Sequence, residues 1–134
     1  MFTLVEVEEL ATSFPEVTVG SRYGNTTWFV DDKAFAWERP LSKADIKRWG
    51  DDEPLPQGDI VALATDGLDE KEAILQSGTK GVFTVSHFDG YPAVLVLLDA
   101  VPKRAMREML LDAWLASATP STAEAFLVTR RGRR

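Results

Sequence analysis

One segment of this 134-residue chain carries side chains that suit proton transfer: His87, the chain's only histidine, is followed two positions later by Asp89. A histidine oriented by a carboxylate can act as a general base when a reacting group lies within hydrogen-bond reach. The same segment is also typical of a turn, because Asp89-Gly90 is a favoured turn dipeptide and Pro92 stiffens its exit. Since geometry must support a catalytic role first, we expect His87 to brace a turn and expect no catalytic residue.

Aromatic side chains are numerous for a chain of this size and include four tryptophans. Large rings most often fill a core, since each buries a large apolar area. Rings that face a cleft provide stacking surfaces for a planar ligand instead. Trp28 and Trp37 lie in predicted neighbouring strands, where they could share one face of a sheet. An alternative ligand pocket between these strands and the His87 segment would be lined by Trp28, Trp37, His87 and Tyr91.

Basic residues are concentrated around a predicted short helix, and a candidate nucleic-acid-binding set comprises Arg22, Arg39, Lys43, Lys47 and Arg48. Lys43 and Lys47 lie one helical turn apart, so their side chains share a face that could contact phosphate. An acidic run follows directly at residues 51–53. This run also favours the simpler interpretation of a solvated surface.

The overall charge is acidic, with 21 Asp and Glu against 15 Lys and Arg and a formal net charge of −6. Four of the basic residues lie among the last five positions, as Arg130, Arg131, Arg133 and Arg134. An acidic body repels phosphate at long range, so DNA binding would require a local basic face or this tail. A further acidic set comprises Glu6, Glu8, Glu9, Asp31 and Asp32. Hard cations need several oxygens that converge on one point, and we expect no metal and no cofactor.

The chain contains no cysteine, which excludes disulfides, thiolate metal sites and cysteine nucleophiles. Its N-terminal residues lack the basic start and long apolar run of a signal peptide. The longest apolar run, Ala93–Leu98, is too short to span a bilayer. We therefore expect a cytoplasmic protein, a monomer, with no membrane partner.

Local signals predict the elements that would position these residues. Thr3 with Glu6 and Ser42 with Asp45 have the spacing of capping boxes, which predicts a helix after each. β-branched and aromatic segments joined by tight turns predict a three-stranded antiparallel meander over Val17–Tyr23, Thr26–Val30 and Lys33–Glu38. The remaining predicted elements are a strand at Ile60–Ala64, a helix from Asp69 to Gly78, strands at Val82–Val85 and Ala93–Leu98 around a hairpin at Ser86–Pro92, and a helix that starts at Pro102 and ends before Pro120.

The predicted fold class is α+β, a single-domain two-layer sandwich in which helices pack an antiparallel sheet in the order α-β-β-β-α-β-α-β-β-α. This domain would occupy residues 1–117. Residues 118–134 would form a flexible C-terminal extension with an arginine-rich end.

Several segments stand in an order that is typical of one known family: Arg22–Trp28, Lys33–Asp45, Gly81–Val96 and Leu110–Trp114. Together they resemble the MmcQ/YjbR family. The resemblance implies a CyaY-like, frataxin-type sandwich and a protein without a known reaction, described in the family as a predicted DNA-binding protein with two projecting hairpins. In this chain the projecting hairpins would be Tyr23–Lys33 and Val85–Ala93.

Two functions therefore follow as expectations. The first is a non-enzymatic protein of the MmcQ/YjbR type that binds duplex DNA through its hairpins and basic patch. The alternative is a protein that binds or sequesters a small aromatic ligand in the pocket defined above. Outside the four terminal arginines the chain has 13 aromatic and 11 basic side chains. This surplus of aromatic side chains favours the alternative, and the resemblance favours the first.

Overall fold

A computed structural model describes residues 2–51 and 53–132 of the chain, with backbone only for residues 130–132. The described helices are α1 (Leu4–Ser13), α2 (Lys43–Trp49), α3 (Gly67–Gln76), α4 (Lys103–Ser117) and α5 (Pro120–Gly132). The described strands are β1 (Val17–Arg22), β2 (Asn25–Val30), β3 (Lys33–Glu38), β4 (Ile60–Ala64), β5 (Val82–Phe83) and β6 (Ala93–Leu97). A 3₁₀ turn, Ser86–Phe88, lies between β5 and β6.

The strands form one antiparallel sheet in the order β1-β2-β3-β4-β6-β5. The predicted α+β class, a two-layer sandwich with helices on an antiparallel sheet, is confirmed, and the predicted element order holds as far as α4. Both predicted capping boxes are also present. The hydroxyl of Thr3 accepts from the Glu6 amide at 3.1 Å, and that of Ser42 accepts from the Asp45 amide at 3.1 Å.

The first face of the sheet carries the larger core. Trp28, Ala36, Leu63 and Val94 lie directly opposite one another on four successive strands and form one apolar row. Helices α1 and α4 cover this row, and α4 contributes the fully buried Met106, Leu110 and Trp114. The burial of large rings and aliphatic side chains here supplies most of the apolar burial on which the fold depends.

The second face carries a smaller cluster and a different row. Trp37, Ala62, Leu95 and Phe83 lie opposite one another across β3, β4, β6 and β5. Phe88 and other side chains outside the strands pack onto this row. The two clusters share the sheet backbone but no side chains.

Trp28 and Trp37 therefore lie on opposite faces, and our expectation that they could share one face is wrong. Val30 pairs with Lys33, and continued pairing in that register would have placed Trp28 opposite Phe35. Instead the pairing shifts by one residue between Trp28 and Phe29, which places Trp28 opposite Ala36. Because side chains alternate between faces, a shift of one residue moves Trp28 to the face opposite that of Trp37.

The segment between β5 and β6 does not project from the fold. Strand β5 ends at Phe83 rather than at the predicted Val85, because the chain turns into the 3₁₀ turn and buries Val85 and Phe88 in the smaller cluster. The other proposed projecting hairpin, residues 23–33, contains β2, which is paired on both sides by β1 and β3. Neither segment is a free hairpin, although their turns are exposed.

Residues 118–132 differ from the flexible extension that we expected, because they contain α5. Phe126 packs edge-on against Trp114 with ring centroids 4.9 Å apart and against Phe14 at 6.4 Å. The start of α5 is tied to the β2–β3 turn, where Asp31 accepts a hydrogen bond from the Thr119 amide at 2.8 Å. The helix is thus attached to the main core, while Arg133 and Arg134 lie outside the described residues.

The N-terminal boundaries of two helices, α3 and α4, differ from the predicted ones. Helix α3 begins at Gly67, ahead of the predicted cap at Asp69, and its N-cap Asp66 makes no capping hydrogen bond through its side chain. Pro102 is the N-cap of α4 rather than its first residue, and the helix begins at Lys103. None of the helices in the described part of the chain has the length and apolar character that a bilayer crossing requires.

Candidate ligand pocket

A pocket of about 390 Å³ lies over the second face of the sheet. Its base is Trp37 on β3, one side is the β1–β2 turn, and the other is the segment between β5 and β6. The residues that line it are Arg22, Tyr23, Asn25, Trp37, Arg39, Pro40, Ser42, His87, Phe88 and Tyr91. The volume lies within the range of small-molecule sites in proteins, about 300–1,000 Å³.

Three aromatic rings from separate parts of the chain form the apolar part of the pocket. The ring centroids of Trp37 and Tyr91 lie 6.4 Å apart at 70°, and those of Phe88 and Tyr91 lie 5.5 Å apart at 78°. Tyr91 is 46% exposed and Trp37 is half-buried, while Phe88, at 4% exposed, supports them from beneath the surface. A planar ligand could stack on that surface.

Two arginines flank the rings, and their surroundings differ. The Arg39 guanidinium forms an ion pair with Asp45 at 2.9 Å and lies 5.4 Å from the centre of the Phe88 ring. Its side chain is only 16% exposed. Arg22 at the end of β1 is exposed, and its side chain makes no hydrogen bond or ion pair with any described residue. The pocket therefore holds one arginine whose charge is largely offset and one whose charge is free.

The carboxylate of Asp45 fixes both Arg39 and the start of α2. Burial alone would raise the pKa of Asp45, but hydrogen bonds from the Ser42 amide and hydroxyl and from Arg39 lower it below its ordinary value. The carboxylate form therefore persists, and one acidic residue links the capping box of α2 to the pocket arginine.

The aromatic wall is held in place by a buried lysine that our sequence reasoning missed. Lys71 on α3 donates from Nζ to the carbonyl oxygens of Phe88 at 2.5 Å and Tyr91 at 2.8 Å. Burial lowers the pKa of Lys71, against the opposing attraction of Asp89 and Glu72. One signal could have indicated its burial: Lys71 has helical spacing to Ile74 and Leu75, which pack toward the core.

The predicted pocket set is brought together except for one member. Trp37, His87 and Tyr91 line the same cavity. Trp28 does not, because it is 1% exposed in the core of the opposite face, where its Nε1 donates to Glu8 at 3.1 Å. Sequence reasoning did not include Tyr23, Asn25 or Phe88 in the pocket. The register shift in the meander and the 3₁₀ turn explain these differences.

His87 and Asp89 do not form a pair. His87 is exposed at the rim of the pocket, while Asp89 lines a neighbouring groove beside α2. No hydrogen bond joins these two described residues, and Ser86 lines the same neighbouring groove as Asp89. A general base needs a partner or a polarised group within reach, and the described residues supply none to His87.

The predicted basic set is divided. Arg22 and Arg39 line the pocket, whereas Lys43, Lys47 and Arg48 are exposed on α2. Arg48 lines the neighbouring groove, in which Asp45, Glu53 and Asp89 provide carboxylates. The arginine side chains beyond residue 129 lie outside the described part.

Three members of the acidic set, Glu6, Glu8 and Asp31, accept hydrogen bonds within the fold at separate places. Glu6 forms an ion pair with Lys103 at 3.3 Å and closes the Thr3 capping box, and Glu8 accepts from Trp28. Burial tends to raise the pKa of Glu6, but hydrogen bonds from Thr3 and the Lys103 charge lower it overall. Among residues 2–51 and 53–132 there is no group of three or more metal-ligating side chains that could hold an ion.

Proteins of similar sequence occur in mycobacteria. The uncharacterised protein Mb2600 of Mycobacterium bovis is 43% identical over 103 residues, which are 75% of this chain and 78% of the relative. The uncharacterised proteins MT2646 and Rv2570 of Mycobacterium tuberculosis match with the same identity and coverage. No family model matches the chain. Identity at this level over most of both sequences means that the chain belongs to the same family as these mycobacterial proteins.

Proposed function

We propose that this protein binds a small planar molecule in the pocket above Trp37 and has no catalytic activity of its own. The observation that carries the proposal is the meeting of Trp37, Phe88 and Tyr91 around a cavity of about 390 Å³. A concave site with apolar rings and a few polar groups is the usual form of a small-molecule site. Binding or sequestration needs no more than this arrangement.

The way in which the pocket is built supports binding over chemistry. Its rings are held by contacts within the fold: Lys71 holds the loop, and Arg39 lies over Phe88. A wall that is fixed before the ligand arrives reduces the entropy lost on binding. His87, the one imidazole at the pocket, lacks an orienting hydrogen-bond partner among the described residues. Its role in the proposal is to contact the ligand at the rim.

Kinship with the MmcQ/YjbR family, a CyaY-like fold and a cytoplasmic location form part of the same proposal. The segments Arg22–Trp28 and Gly81–Val96 that resemble this family contain most of the pocket residues. The resemblance and the pocket thus involve the same part of the chain. This supports ligand binding as a property of the family, rather than of this chain alone.

Tryptophan fluorescence tests the proposal directly. A panel of planar aromatic compounds is titrated into the protein, and a saturable change in emission is expected because a stacked ligand alters the surroundings of Trp37. The Trp37→Phe variant keeps an aromatic base in the pocket but removes the reporter, so the change should disappear. Trp49→Phe is the matched control, since Trp49 is half-buried and packs against Phe83 outside the pocket. A response that persists in Trp37→Phe and is lost in Trp49→Phe would contradict the proposal.

Duplex DNA is the second candidate ligand, and the exposed side chains of Lys43, Lys47 and Arg48 on α2 favour it. Phosphate contacts by these residues would make binding depend strongly on salt. Binding measured at two salt concentrations should weaken as salt rises.

A Lys43→Gln/Lys47→Gln variant should lower the slope of log affinity against log salt by about two. Lys80→Gln is the control, because Lys80 is exposed after α3. Absence of binding at low salt would remove this candidate.

A further inference from the structure

We propose that the ligand of the Trp37 pocket is an aromatic anion, a planar ring that bears a carboxylate or phosphate group, and that Arg22 binds its charge. This inference rests on the proposed function and adds the chemical class of the ligand. It is carried by the distribution of charge around the pocket and by the difference between its two arginines.

The charged side chains that line the pocket are positive, whereas the net charge of the chain is negative. Acidic residues outnumber basic ones by 21 to 15 in the chain, yet no aspartate or glutamate lines the pocket among the described residues, and two arginines do. A cleft with one sign of charge and apolar walls focuses its field on the ligand. An anion is therefore attracted to this cleft and repelled by most of the remaining surface.

The two arginines have separate tasks. Arg39 is paired with Asp45 and lies over Phe88, so its charge serves the wall of the pocket. Arg22 has no ion pair with a described residue, which leaves its guanidinium available to a ligand. A guanidinium can donate two parallel hydrogen bonds to a carboxylate or phosphate, which fixes the orientation of the anion as well as its presence.

The backbone fixes the point from which Arg22 reaches the pocket. Arg22 pairs with Asn25 at the last position of the β1–β2 ladder. The two residues between them, Tyr23 and Gly24, have φ angles of +53° and +79°, as a tight two-residue hairpin turn requires. The guanidinium thus extends from the end of a paired strand. The rings of Trp37 and Tyr91 line the same cavity as Arg22, so one ligand could stack on the rings and place its anionic group at Arg22.

Two ligands of equal shape test the inference: 2-naphthoate, which is an anion at neutral pH, and 2-naphthamide, which is neutral. Dissociation constants are measured by calorimetry at one fixed ionic strength. We expect 2-naphthoate to bind about tenfold more tightly than the amide, since a charge-assisted hydrogen bond to an exposed arginine contributes about that factor. Naphthyl phosphate in a third titration distinguishes a carboxylate site from a phosphate site.

Arginine variants assign the preference to a residue. Arg22→Gln should remove the tenfold preference, because the affinity for 2-naphthoate should fall much more than the affinity for 2-naphthamide. Arg48→Gln, which removes an exposed arginine outside the pocket, should leave both affinities unchanged. A preference that survives in Arg22→Gln would overturn the assignment to Arg22.

The outcomes separate this inference from the function on which it rests. If the wild-type protein binds both compounds equally, the pocket remains a small-molecule site and the anion proposal is overturned. If the wild-type protein binds none of the three compounds, both the anion proposal and the proposed function fail. If a short DNA duplex displaces bound 2-naphthoate at low salt, nucleic acid is the ligand and the proposal of a small aromatic anion is overturned.

Discussion

The buried ammonium group of Lys71 lies 2.5 Å from the carbonyl oxygen of Phe88, which is 17 residues further along the chain. This contact joins helix α3 to the loop that forms the aromatic wall of the pocket. The Phe88 carbonyl also accepts from the Tyr91 amide at 3.0 Å, so the loop has a backbone hydrogen bond of its own. Lys71 therefore acts on the position of the wall more than on whether the loop folds.

Lys71→Met should loosen the pocket wall and leave the fold intact. Methionine fills similar space without the ammonium, so two charged hydrogen bonds are lost while a buried charge is removed. These effects oppose each other, and the free energy of unfolding should change by less than about 2 kcal/mol. Amide hydrogen exchange at Phe88, Asp89 and Tyr91 should become faster, because these amides close the loop.

The exposed Lys80 offers a matched control for the Lys71 experiment. Lys80→Met removes the charge of an exposed lysine that lies in the connection between α3 and β5. Its exchange rates in the loop should equal those of the wild-type protein. Unchanged exchange in Lys71→Met would mean that the lysine does not hold the wall.

Asp45 should make part of the stability sensitive to acid. Its pKa is lower in the folded chain than in the unfolded chain, because hydrogen bonds from Ser42 and Arg39 outweigh the opposing effect of burial. The folded state therefore favours the carboxylate. This contribution is fully present above the ordinary aspartate pKa of about 4 and is lost as pH falls through the lowered value.

Asp45→Asn measures that contribution. Asparagine keeps an oxygen for the Ser42 amide but removes the charge that pairs with Arg39, so the free energy of unfolding at pH 7 should fall by about 1–3 kcal/mol. The free energy of unfolding is measured in urea at pH 7 and at pH 3. Its decrease from pH 7 to pH 3 should be smaller for the variant than for the wild type. Asp59→Asn, at an exposed loop residue, is the control and should follow the wild-type curve. Equal losses in Asp45→Asn and the wild type would contradict the assignment.

Phe126→Ala tests whether α5 belongs to the core. Phe126 is half-buried against Phe14 and Trp114, and its truncation should lower the free energy of unfolding by about 1–3 kcal/mol, less than the full cost of a completely buried ring. Leu127→Ala changes the next residue, which is 38% exposed, and should cost less than about 1 kcal/mol. If both variants unfold at the wild-type urea concentration, α5 adds no stability to the domain.

The tie between Asp31 and α5 should control access to the end of the chain. Asp31 accepts from the Thr119 amide and the Thr122 hydroxyl, whereas the exposed neighbour Asp32 makes no hydrogen bond through its side chain with a described residue. Both have positive φ angles, +49° and +67°, which glycine adopts without strain. Asp31→Gly should therefore speed proteolytic cleavage within residues 118–132, and Asp32→Gly should not. Equal cleavage rates would mean that the tie is weak in solution.

Local chemistry made most of the fold predictable from sequence. The capping boxes at Thr3 and Ser42 use hydrogen bonds between residues three apart, so their spacing alone predicts them. Helix α5 was missed because Pro120 was interpreted only as a helix end. Proline also suits the first turn of a helix, and Thr119 before it accepts from the Thr122 amide as a cap. The pair Thr119-Pro120 therefore carried a start signal as well as a stop signal.

The pocket was only partly predictable, because its members depend on register and tertiary contact. The inclusion of Tyr91 and His87 in the pocket could be predicted, because both lie close to a predicted turn in the sequence. The face that Trp37 occupies depends on a shift of one residue in strand pairing, which no local pattern indicates. The burial of Lys71 depends on two carbonyl oxygens that become available only when the loop has folded. The order of the strands fixes where the pocket lies, but these long-range details decide what lines it.

The placement of Trp28 and Trp37 on opposite faces of one sheet has a consequence for how this family can diversify. The helices α1 and α4 pack on the face of Trp28, and the candidate ligand pocket lies on the face of Trp37. Substitutions at Tyr23, His87 or Tyr91 change side chains that reach no residue of the larger core. Substitutions at these positions can therefore change the lining of the pocket while the contacts of the larger core stay in place. Sequence changes on one face of the sheet are in this way separated from the packing requirements of the other face.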